Sequence, residues 1–398
     1  MSDVKSFNPM DPAFVADPYP TYHRLRAEDP VYLSPLGFWV LTRYEDVSAV
    51  LRDPRFIKEP LAALVAARFG AEVPRGMGLS MLDRDPPDHT RLRSLVSKAF
   101  TPRVVEGLRP RIQQIVDGLI ARAQAAGSMD LIEEFAYPIP VNVICEMMGV
   151  PVEDHERFKG WSLDIARGLD SVLLPPDSEV PRRSAAARHA ISDYFRQLIA
   201  ARRASPRGDL LSALIAAEEA GDKLNEEELI ATCILLLIAG HETTVNLIGN
   251  GVLALLRHPD ELRRLRQAPA LITSAVEELL RYDGPVQRTA RVAGDDVTFG
   301  GRTIRKGDMV MPFIGAADRD PAQFPDPDRL DLGRGDNRHI AFGWGIHFCL
   351  GAPLARVEGQ IAIDTLVRRL PRLALVAEHA EYRQSLTLRG LKMLPVKF

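Results

Sequence analysis

The chain has 398 residues, of which 46% are hydrophobic and 26% charged, so it has enough apolar residues for a large core. The 50 lysines and arginines against 53 aspartates and glutamates give a net charge of −3, which argues against binding to the phosphate backbone of nucleic acids. Three cysteines cannot form a disulfide framework, the longest apolar run (229–240) is shorter than the roughly 20 residues of a membrane span, and no secretory leader is visible, so we expect a cytoplasmic protein without a membrane anchor.

Helical periodicity and strand-like alternation follow one another along the chain. In chain order they predict a strand region over 31–42, helices over 109–126, 188–203, 225–257 and 270–282, a strand pair over 297–304 turning at Gly300 and Gly301, a strand over 309–314, a helix over 353–370 and a strand region over 386–396. Helices dominate, and the strands come from separated parts of the chain. We therefore expect a mainly helical protein with a minor β region, folded as one unit and not as two domains.

A glycine-rich loop around Cys349 is the sharpest local pattern. It reads FGWGIHFCLG over residues 342–351 and runs into a helix that opens with Ala352 and Pro353. The dipole at that helix N-terminus favours a thiolate at Cys349, and the three glycines allow tight turns. A cysteine in this setting is a nucleophile, a metal ligand or a small buried hydrophobic residue. A dinucleotide-binding loop is excluded, because Phe348 occupies the position of the third glycine.

Polar residues interrupt the helix predicted over 225–257, which would be about 50 Å long. They form the sequence AGHETT at residues 239–244. Glu242 beside Thr243 is costly in an apolar helix unless both are partnered, and Gly240 weakens the helix by up to ~1 kcal/mol. The pattern predicts either a polar kink satisfied by water or a functional acid–alcohol pair. A zinc-protease helix is excluded because Val245 stands where its second histidine would be.

Two further charged pairs have helical spacing. Glu278 and Arg281, three residues apart, can form an ion pair, which on its own is usually a surface salt bridge worth under ~1 kcal/mol. His89 and Arg93, four apart, follow the sequence DPPD, whose prolines mark a helix start. Without further context they would be solvated surface cations.

In this order and spacing, the four patterns resemble the cytochrome P-450 family over nearly the whole chain. The cysteine loop is similar to the bacterial form of the family's haem-binding signature, Phe-Gly-x-Gly-x-His-x-Cys-x-Gly. The resemblance implies the cytochrome P-450 fold, with a large helical part, a small β-rich part, and a haem b between the long central helix and the helix after the cysteine loop. It also implies one haem-thiolate monooxygenase domain over residues 1–398, without a fused reductase.

The resemblance implies a role for each motif. Cys349 is the axial thiolate ligand of the haem iron. Residues of the loop and of other segments contact the haem, several of them through its propionates: His89, Arg93, Arg291, Phe342, Gly343, His347 and Gly351. Glu242 and Thr243 guide protons during oxygen activation, while His241 is a packed or solvent-facing residue. The residues that hold the cysteine loop in place are Glu278, Arg281 and Arg329. The substrate contacts implied by family position are Ala239, Gly240, Val286 and Leu388.

The activity implied is that of a monooxygenase acting with O₂ on a bulky, mostly apolar small molecule, such as a polyketide or macrolide, a fatty acid or a terpenoid. A ferredoxin and its reductase would supply electrons, and a basic patch for that acidic partner is predicted at Arg91, Arg103, Arg338 and Arg356. Two alternatives are a hydrogen-peroxide-driven peroxygenase of the same fold and a haem-binding accessory protein without turnover. Glu242 and Thr243 favour the monooxygenase, because peroxygenases commonly lack the pair and accessory members often lack its alcohol.

Overall fold

The computed structural model describes residues 8, 11–68, 79–174, 177–219 and 224–398. Within them the chain is mainly helical, as predicted. The helices are α1 (Pro12–Ala16), α2 (Tyr19–Glu28), α3 (Tyr44–Arg52), α4 (Pro60–Arg68), α5 (Asp88–Ser97), α6 (Pro102–Ala126), α7 (Pro138–Met148), α8 (His155–Gly168), α9 (Val180–Ala204), α10 (Leu210–Glu219), α11 (Glu226–Arg257), α12 (Pro259–Gln267), α13 (Ile272–Asp283), α14 (Ile314–Ala317) and α15 (Ala352–Arg369).

The strands are short. They are β1 (Val31–Leu33), β2 (Phe38–Leu41), β3 (Phe56–Ile57), β4 (Ser128–Asp130), β5 (Arg291–Ala293), β6 (Val297–Phe299), β7 (Arg302–Ile304), β8 (Met309–Pro312), β9 (Ala374–Leu375) and β10 (Pro395–Lys397). They form a sheet in the order β1-β2-β8-β5-β3, a sheet in the order β4-β10-β9, and the pair β6-β7. Because neighbours such as β2 and β8 are far apart in sequence, the sheets tie distant parts of the chain together.

Most predicted elements are confirmed, with two differences. Helices α6 and α9 begin seven or eight residues before their predicted starts, and α6 continues through Pro110. The strand region predicted over 386–396 is wrong for most of its length. Only β10 forms at its end, and the rest contributes isolated bridges that pair Val286 with Leu388 and Tyr382 with Leu391. The pair β6-β7 turns at Gly300 and Gly301, as predicted, and both glycines have positive φ.

Helix α11 is the longest helix among the described residues. By length and composition it is apolar enough to cross a membrane, but 72% of its most hydrophobic window is buried inside the protein. Apolar residues surround most of its circumference, including Leu229, Leu237, Ile248 and Leu255. This is the pattern of a central core helix.

The chain forms two compact units, each assembled from separate stretches. One comprises Met1–Phe56, Val105–Ile139 and Thr243–Phe398. Its core includes apolar residues of β2, α3 and β8, such as Leu41, Val50 and Val310. The other comprises Ile57–Val104 and Pro140–Glu242, in which α8 packs along α9.

Candidate active site

The cysteine loop is held in shape by its own backbone. The Cys349 N–H donates to the Phe342 carbonyl over 2.9 Å, and the Gly343 N–H donates to the Ile340 carbonyl over 2.8 Å. Gly351 is the N-cap of α15, and a Cβ added to it would lie 4.0 Å from the Cys349 sulfur. Cys349 is half-buried and outside any disulfide. The fold therefore presents its sulfur just before a helix N-terminus, as the sequence predicts.

Two glycines of this loop have the positive φ that glycine tolerates best, about 70° at Gly343 and 69° at Gly345. They differ in their surroundings. A Cβ at Gly345 would lie 2.4 Å from the carbonyl oxygen of Leu51, whereas at Gly343 nothing approaches closer than 3.9 Å. Gly345 therefore lets the loop pack against the end of α3. Next to it, the Arg52 guanidinium lies 4.2 Å from the centre of the Trp344 ring.

A buried charge cluster supports the loop from α13. Arg281 and Glu278 form a two-bonded ion pair at 2.8 and 2.9 Å, and both side chains are fully buried. Arg281 also donates to the carbonyls of Asp318, Pro327 and Arg329. Because the pair is buried and bonded to three backbone carbonyls, it is a structural cluster and not a surface salt bridge.

The third member of this cluster differs from the sequence prediction. The Arg329 side chain is 66% exposed and lies 4.0 Å from Asp331, so Arg329 contributes only its backbone carbonyl. Arg334 takes the predicted place, with Nε 3.2 Å from both Glu278 oxygens and a side chain only 10% exposed. Arg334, and not Arg329, reaches Glu278 because of the turn after Leu330. Local sequence patterns do not specify that turn.

Asp318 connects this cluster to the cysteine loop. Its carbonyl accepts from Arg281, and its carboxylate accepts the Ile340 N–H over 2.8 Å, two residues before Phe342. Burial raises the pKa of the Asp318 carboxyl to about 7, although nearby His339 and the Ile340 N–H oppose the shift. The cluster thus positions the start of the loop through direct hydrogen bonds.

Helix α11 has an accessible stripe in its otherwise buried middle. Leu235 and Thr243 are half-buried and Ala239 is exposed, and their spacing of four residues places them on one face. The flanking residues 236, 237, 241, 242 and 244 are buried. On another side, a Cβ at Gly240 would lie 3.0 Å from Ile144, so the glycine allows α7 to pack closely at this turn. Of the predicted substrate contacts, Ala239 is therefore on the accessible face, whereas Gly240 is half-buried and faces α7.

The predicted acid–alcohol pair lies on this turn. The Glu242 side chain is 6% exposed, and its oxygen lies 3.7 Å from Nε2 of His241. The His241 Nδ1 lies 2.7 Å from the Leu237 carbonyl, which can only accept, so that nitrogen carries a proton. His241 is 1% exposed and packed within the protein.

The later half of α11 packs against α15, the helix that follows Cys349. Phe342 packs on a cluster that includes Leu247 of α11 and Val276 of α13. The neighbouring turn brings Thr244 to Glu358 of α15, whose carboxyl is 1% exposed. Burial raises the pKa of Glu358 to about 8, and the Thr244 hydroxyl opposes the shift. Sequence analysis missed Glu358, although it lies at helical spacing from the buried Leu354 and Ile361, which was a usable signal.

The predicted propionate partners are cations or histidines held close to the core. His89 and Arg93 lie one turn apart on α5, His89 being 3% exposed and Arg93 half-buried. Arg291 begins β5, is 3% exposed, and donates to the Ala290 carbonyl and the Thr289 hydroxyl. His347 ends the short helical turn of the cysteine loop. These residues are buried or half-buried, and so are not the freely solvated surface cations that their spacing alone would suggest.

The predicted basic patch is mostly neutralised by neighbouring acids. Arg91 pairs with Asp88 and Glu228, Arg338 pairs with Asp336, and Arg356 pairs with Glu277. Bonds from His339 and Arg356 outweigh burial and lower the pKa of Glu277 to about 2, so this acid stays charged. Arg103 is exposed. The positive charge expected at these positions is therefore much reduced.

The donor set and its surroundings fit a thiolate-ligated haem. Cys349, which is outside any disulfide, stands just before the N-terminus of α15, and Gly351 places no side chain next to its sulfur. Arg291 and His347, which lie in the same unit as Cys349, are side chains of the types that propionates require. The accessible stripe of α11 consists mostly of apolar residues. An apolar face of this kind suits contact with a flat macrocycle and an apolar substrate.

Comparison with known proteins agrees with this reading. The sequence profile of the family described as Cytochrome P450 matches residues 30–373. The chain is 48% identical over 390 residues to the vitamin D(3) 25-hydroxylase of Pseudonocardia autotrophica, covering 96% of this chain and 94% of that protein. It is 42% identical over 412 residues to the polyketide biosynthesis cytochrome P450 PksS of Bacillus subtilis, covering 98% of each. The crystal structure of myxobacterial cytochrome P450 CYP267B1 in complex with myristic acid matches with a TM-score of 0.92 and 45% identity, covering 99% of both chains.

Proposed function

Because the chain belongs to the cytochrome P450 family and is a haem-dependent monooxygenase, we propose that it inserts one oxygen atom of O₂ into a bulky, mostly apolar small molecule. The cysteine loop carries the proposal, since its backbone bonds present Cys349 before α15 in the setting that an axial thiolate requires. We propose haem b as the cofactor and residues 1–398 as a single cytoplasmic monooxygenase domain.

The residues that would hold the haem are Cys349, through the iron, and four partners of the propionates, His89, Arg93, Arg291 and His347. The chemistry that a bound haem supplies is activation of O₂ and transfer of one oxygen atom to a C–H or C=C bond, the other atom leaving as water. Backbone N–H groups at the start of α15 stabilise the negative charge of the sulfur.

Proton supply is the task of α11. Each turnover consumes two protons and two electrons along with O₂, so the site needs a hydroxyl on the accessible face and an acid behind it. Thr243 lies on the accessible stripe, and Glu242 is buried beside it in sequence. We propose that the Thr243 hydroxyl donates protons on that face and that the Glu242 carboxyl returns a proton to it.

The proposal for the substrate class rests on the predicted substrate contacts and on the related proteins. Ala239, Val286 and Leu388 are small or apolar, and each is exposed or half-buried. One relative is named for hydroxylating vitamin D(3), one for polyketide biosynthesis, and one was solved with myristic acid. These molecules share large apolar surfaces, which suits a pocket with few polar groups.

Electrons are proposed to come from a ferredoxin and its reductase, because the family takes them from redox partners. Three of the four predicted arginines are paired with acids, which leaves Arg103 of that set and makes Arg52 a further candidate. Arg103 is exposed on α6, and Arg52 is exposed beside Trp344 of the cysteine loop. Either can attract an acidic partner in a salt-dependent way.

The test is the difference spectrum of the reduced protein with and without carbon monoxide. A strongly red-shifted Soret band is expected for the wild type and should be lost in Cys349→Ala. The matched controls are Cys145→Ala and Cys233→Ala, which should keep the band, because both cysteines are buried and burial raises the pKa of each thiol. A wild-type band at the position typical of histidine- or thiol-ligated haem would overturn the proposal.

A further inference from the structure

Two backbone segments that carry predicted substrate contacts are paired within the first unit. Val286 and Leu388 form an antiparallel bridge. On either side of it, the Gln287 N–H donates to the Thr387 carbonyl over 2.9 Å, and the Arg389 N–H donates to the Pro285 carbonyl over 2.8 Å. We call residues 285–287 and 387–389 the substrate pair. Its shape depends on what holds these two segments.

An inner tether joins the substrate pair to α11. The side-chain amide of Asn250, which is 2% exposed, donates to the carbonyls of Asp283 and Arg389, both over 3.1 Å. Asn250 lies seven residues after Thr243, which is two helical turns. The substrate pair is thereby held at a set distance from the helix that carries Thr243.

An outer tether joins the pair to the N-terminal helices. The Arg389 guanidinium is 7% exposed and forms an ion pair with Asp283 at 2.6 Å. Its two remaining nitrogens donate to the carbonyls of Val15 and Ala16 over 2.9 and 3.0 Å. One side chain therefore binds α13 and the end of α1 at once, and its planar fork fixes the directions of all three bonds.

A second outer bond comes from α2. The Tyr22 hydroxyl donates to Oε1 of Gln287 over 3.1 Å, and the side-chain amide nitrogen of Gln287 donates to the Gly284 carbonyl over 2.9 Å. Tyr22 and Gln287 are 1% and 2% exposed. Since water does not reach these groups, a lost partner leaves a buried polar atom unsatisfied unless the backbone moves.

We propose that α1 and α2, acting through Arg389 and Tyr22, are positioning elements that set the shape of the substrate site. The inference rests on the proposed function, because it takes Val286 and Leu388 as substrate contacts. Arg389 and Tyr22 do not themselves touch the substrate in this account. They hold the backbone from behind, and misplacement of a binding wall by about 1 Å is enough to change rates by up to 100-fold.

The experiment compares two azole ligands on the haem-containing protein by optical titration. Econazole carries an imidazole ring attached to two chlorinated phenyl groups, whereas imidazole has the ring alone. Arg389→Lys keeps a charge for Asp283 but cannot also bind both carbonyls of α1. The matched control is Lys392→Gln, which removes an ion pair with Glu381 on the same segment, where both side chains are more than half exposed.

The expected result is that Arg389→Lys weakens econazole binding at least tenfold and changes imidazole binding less than twofold. Lys392→Gln should change neither. An unchanged ratio of the two dissociation constants in Arg389→Lys would overturn the proposal, and so would an equal loss for both ligands, which would locate the defect at the haem. If Arg389→Lys does not accumulate, Tyr22→Phe is measured in its place and must lower econazole affinity selectively. Failure of the proposed function is distinguishable, because the wild type would then lack the red-shifted carbon monoxide band.

Discussion

Replacing Glu358 with glutamine is expected to stabilise the protein increasingly as the pH rises. The side chain is 1% exposed, and burial raises the pKa of its carboxyl to about 8, against an ordinary value of 4.5, with the Thr244 hydroxyl opposing the shift. The unfolded chain releases this proton above pH 4.5, whereas the folded protein keeps it up to pH 8. Because the folded state binds more protons in this window, the free energy of unfolding falls as the pH rises through it.

The magnitude follows from the separation of the two pKa values. Each pH unit between them lowers the free energy of unfolding by about 1.4 kcal/mol, so the penalty is about 1 kcal/mol at pH 5, about 3 kcal/mol at pH 7 and about 4 kcal/mol at pH 8. Glutamine has nearly the same volume as glutamic acid, but it does not ionise. The gain from Glu358→Gln should therefore grow by about 3 kcal/mol between pH 5 and pH 8.

The assay is urea unfolding of the haem-containing wild type and variant at pH 5, 7 and 8. The control is Glu179→Gln, whose carboxylate is 69% exposed and pairs with the exposed Arg182, and which should show no pH-dependent gain. Infrared spectra at pH 7 provide a direct check, since the carboxylic-acid band of Glu358 should disappear in the variant. A gain that does not depend on pH, or an unchanged infrared band, would refute the reasoning.

Three further comparisons test the site, each with a matched variant. Thr243→Ala should keep the carbon monoxide band but lower the product formed per electron pair about tenfold or more, with hydrogen peroxide released instead. Thr243→Ser should restore the coupling of electron use to product formation. Normal coupling in the alanine variant would contradict the proton-delivery role. Arg334→Gln should lower the free energy of unfolding by about 2 kcal/mol, because it removes a buried hydrogen-bond partner of Glu278 on α13. Arg329→Gln should change it by less than about 0.5 kcal/mol, and equal effects in urea unfolding would mean that the wrong arginine supports the loop. Gly345→Ala should destabilise the loop by about 3 kcal/mol through its clash with the α3 carbonyl, whereas Gly343→Ala should cost only about 1 kcal/mol of backbone strain. The two glycine variants are compared by thermal unfolding, followed through haem release from samples that carry one haem per protein. Similar melting temperatures would contradict the conclusion that Gly345 lets the loop pack against α3.

The parts of the fold that follow local patterns were predictable. The apolar periodicity of α11, α13 and α15 is a property of a few consecutive turns, so their bounds agree with the sequence prediction to within about two residues. The turn at Gly300 and Gly301 was predictable for the same reason, because the glycines that it needs are adjacent in sequence. The strand region over 386–396 was not, since strands are completed by partners elsewhere in the chain.

The residues of the candidate site also fall into those that local sequence predicts and those that it does not. The cysteine loop and the acid–alcohol turn are contiguous motifs, so spacing and family resemblance were enough to propose their residues. The exchange of Arg329 for Arg334 depends on a turn that brings one arginine to Glu278 and leaves the other in solvent. The arginines of the predicted basic patch also illustrate this limit, because the acids that neutralise them come partly from distant helices.

The sequence by itself determined the fold class, the family and the cysteine proposed as ligand, because these depend on periodicity and on the order of short motifs along one chain. Tertiary structure alone decided which charges are buried, which are paired and which segments hold the substrate pair. Asp318, Glu358 and Arg389 illustrate the difference. Each is an ordinary charged residue in sequence, and its protonation or hydrogen bonding is set by desolvation and by partners from remote segments, which only the folded chain brings together.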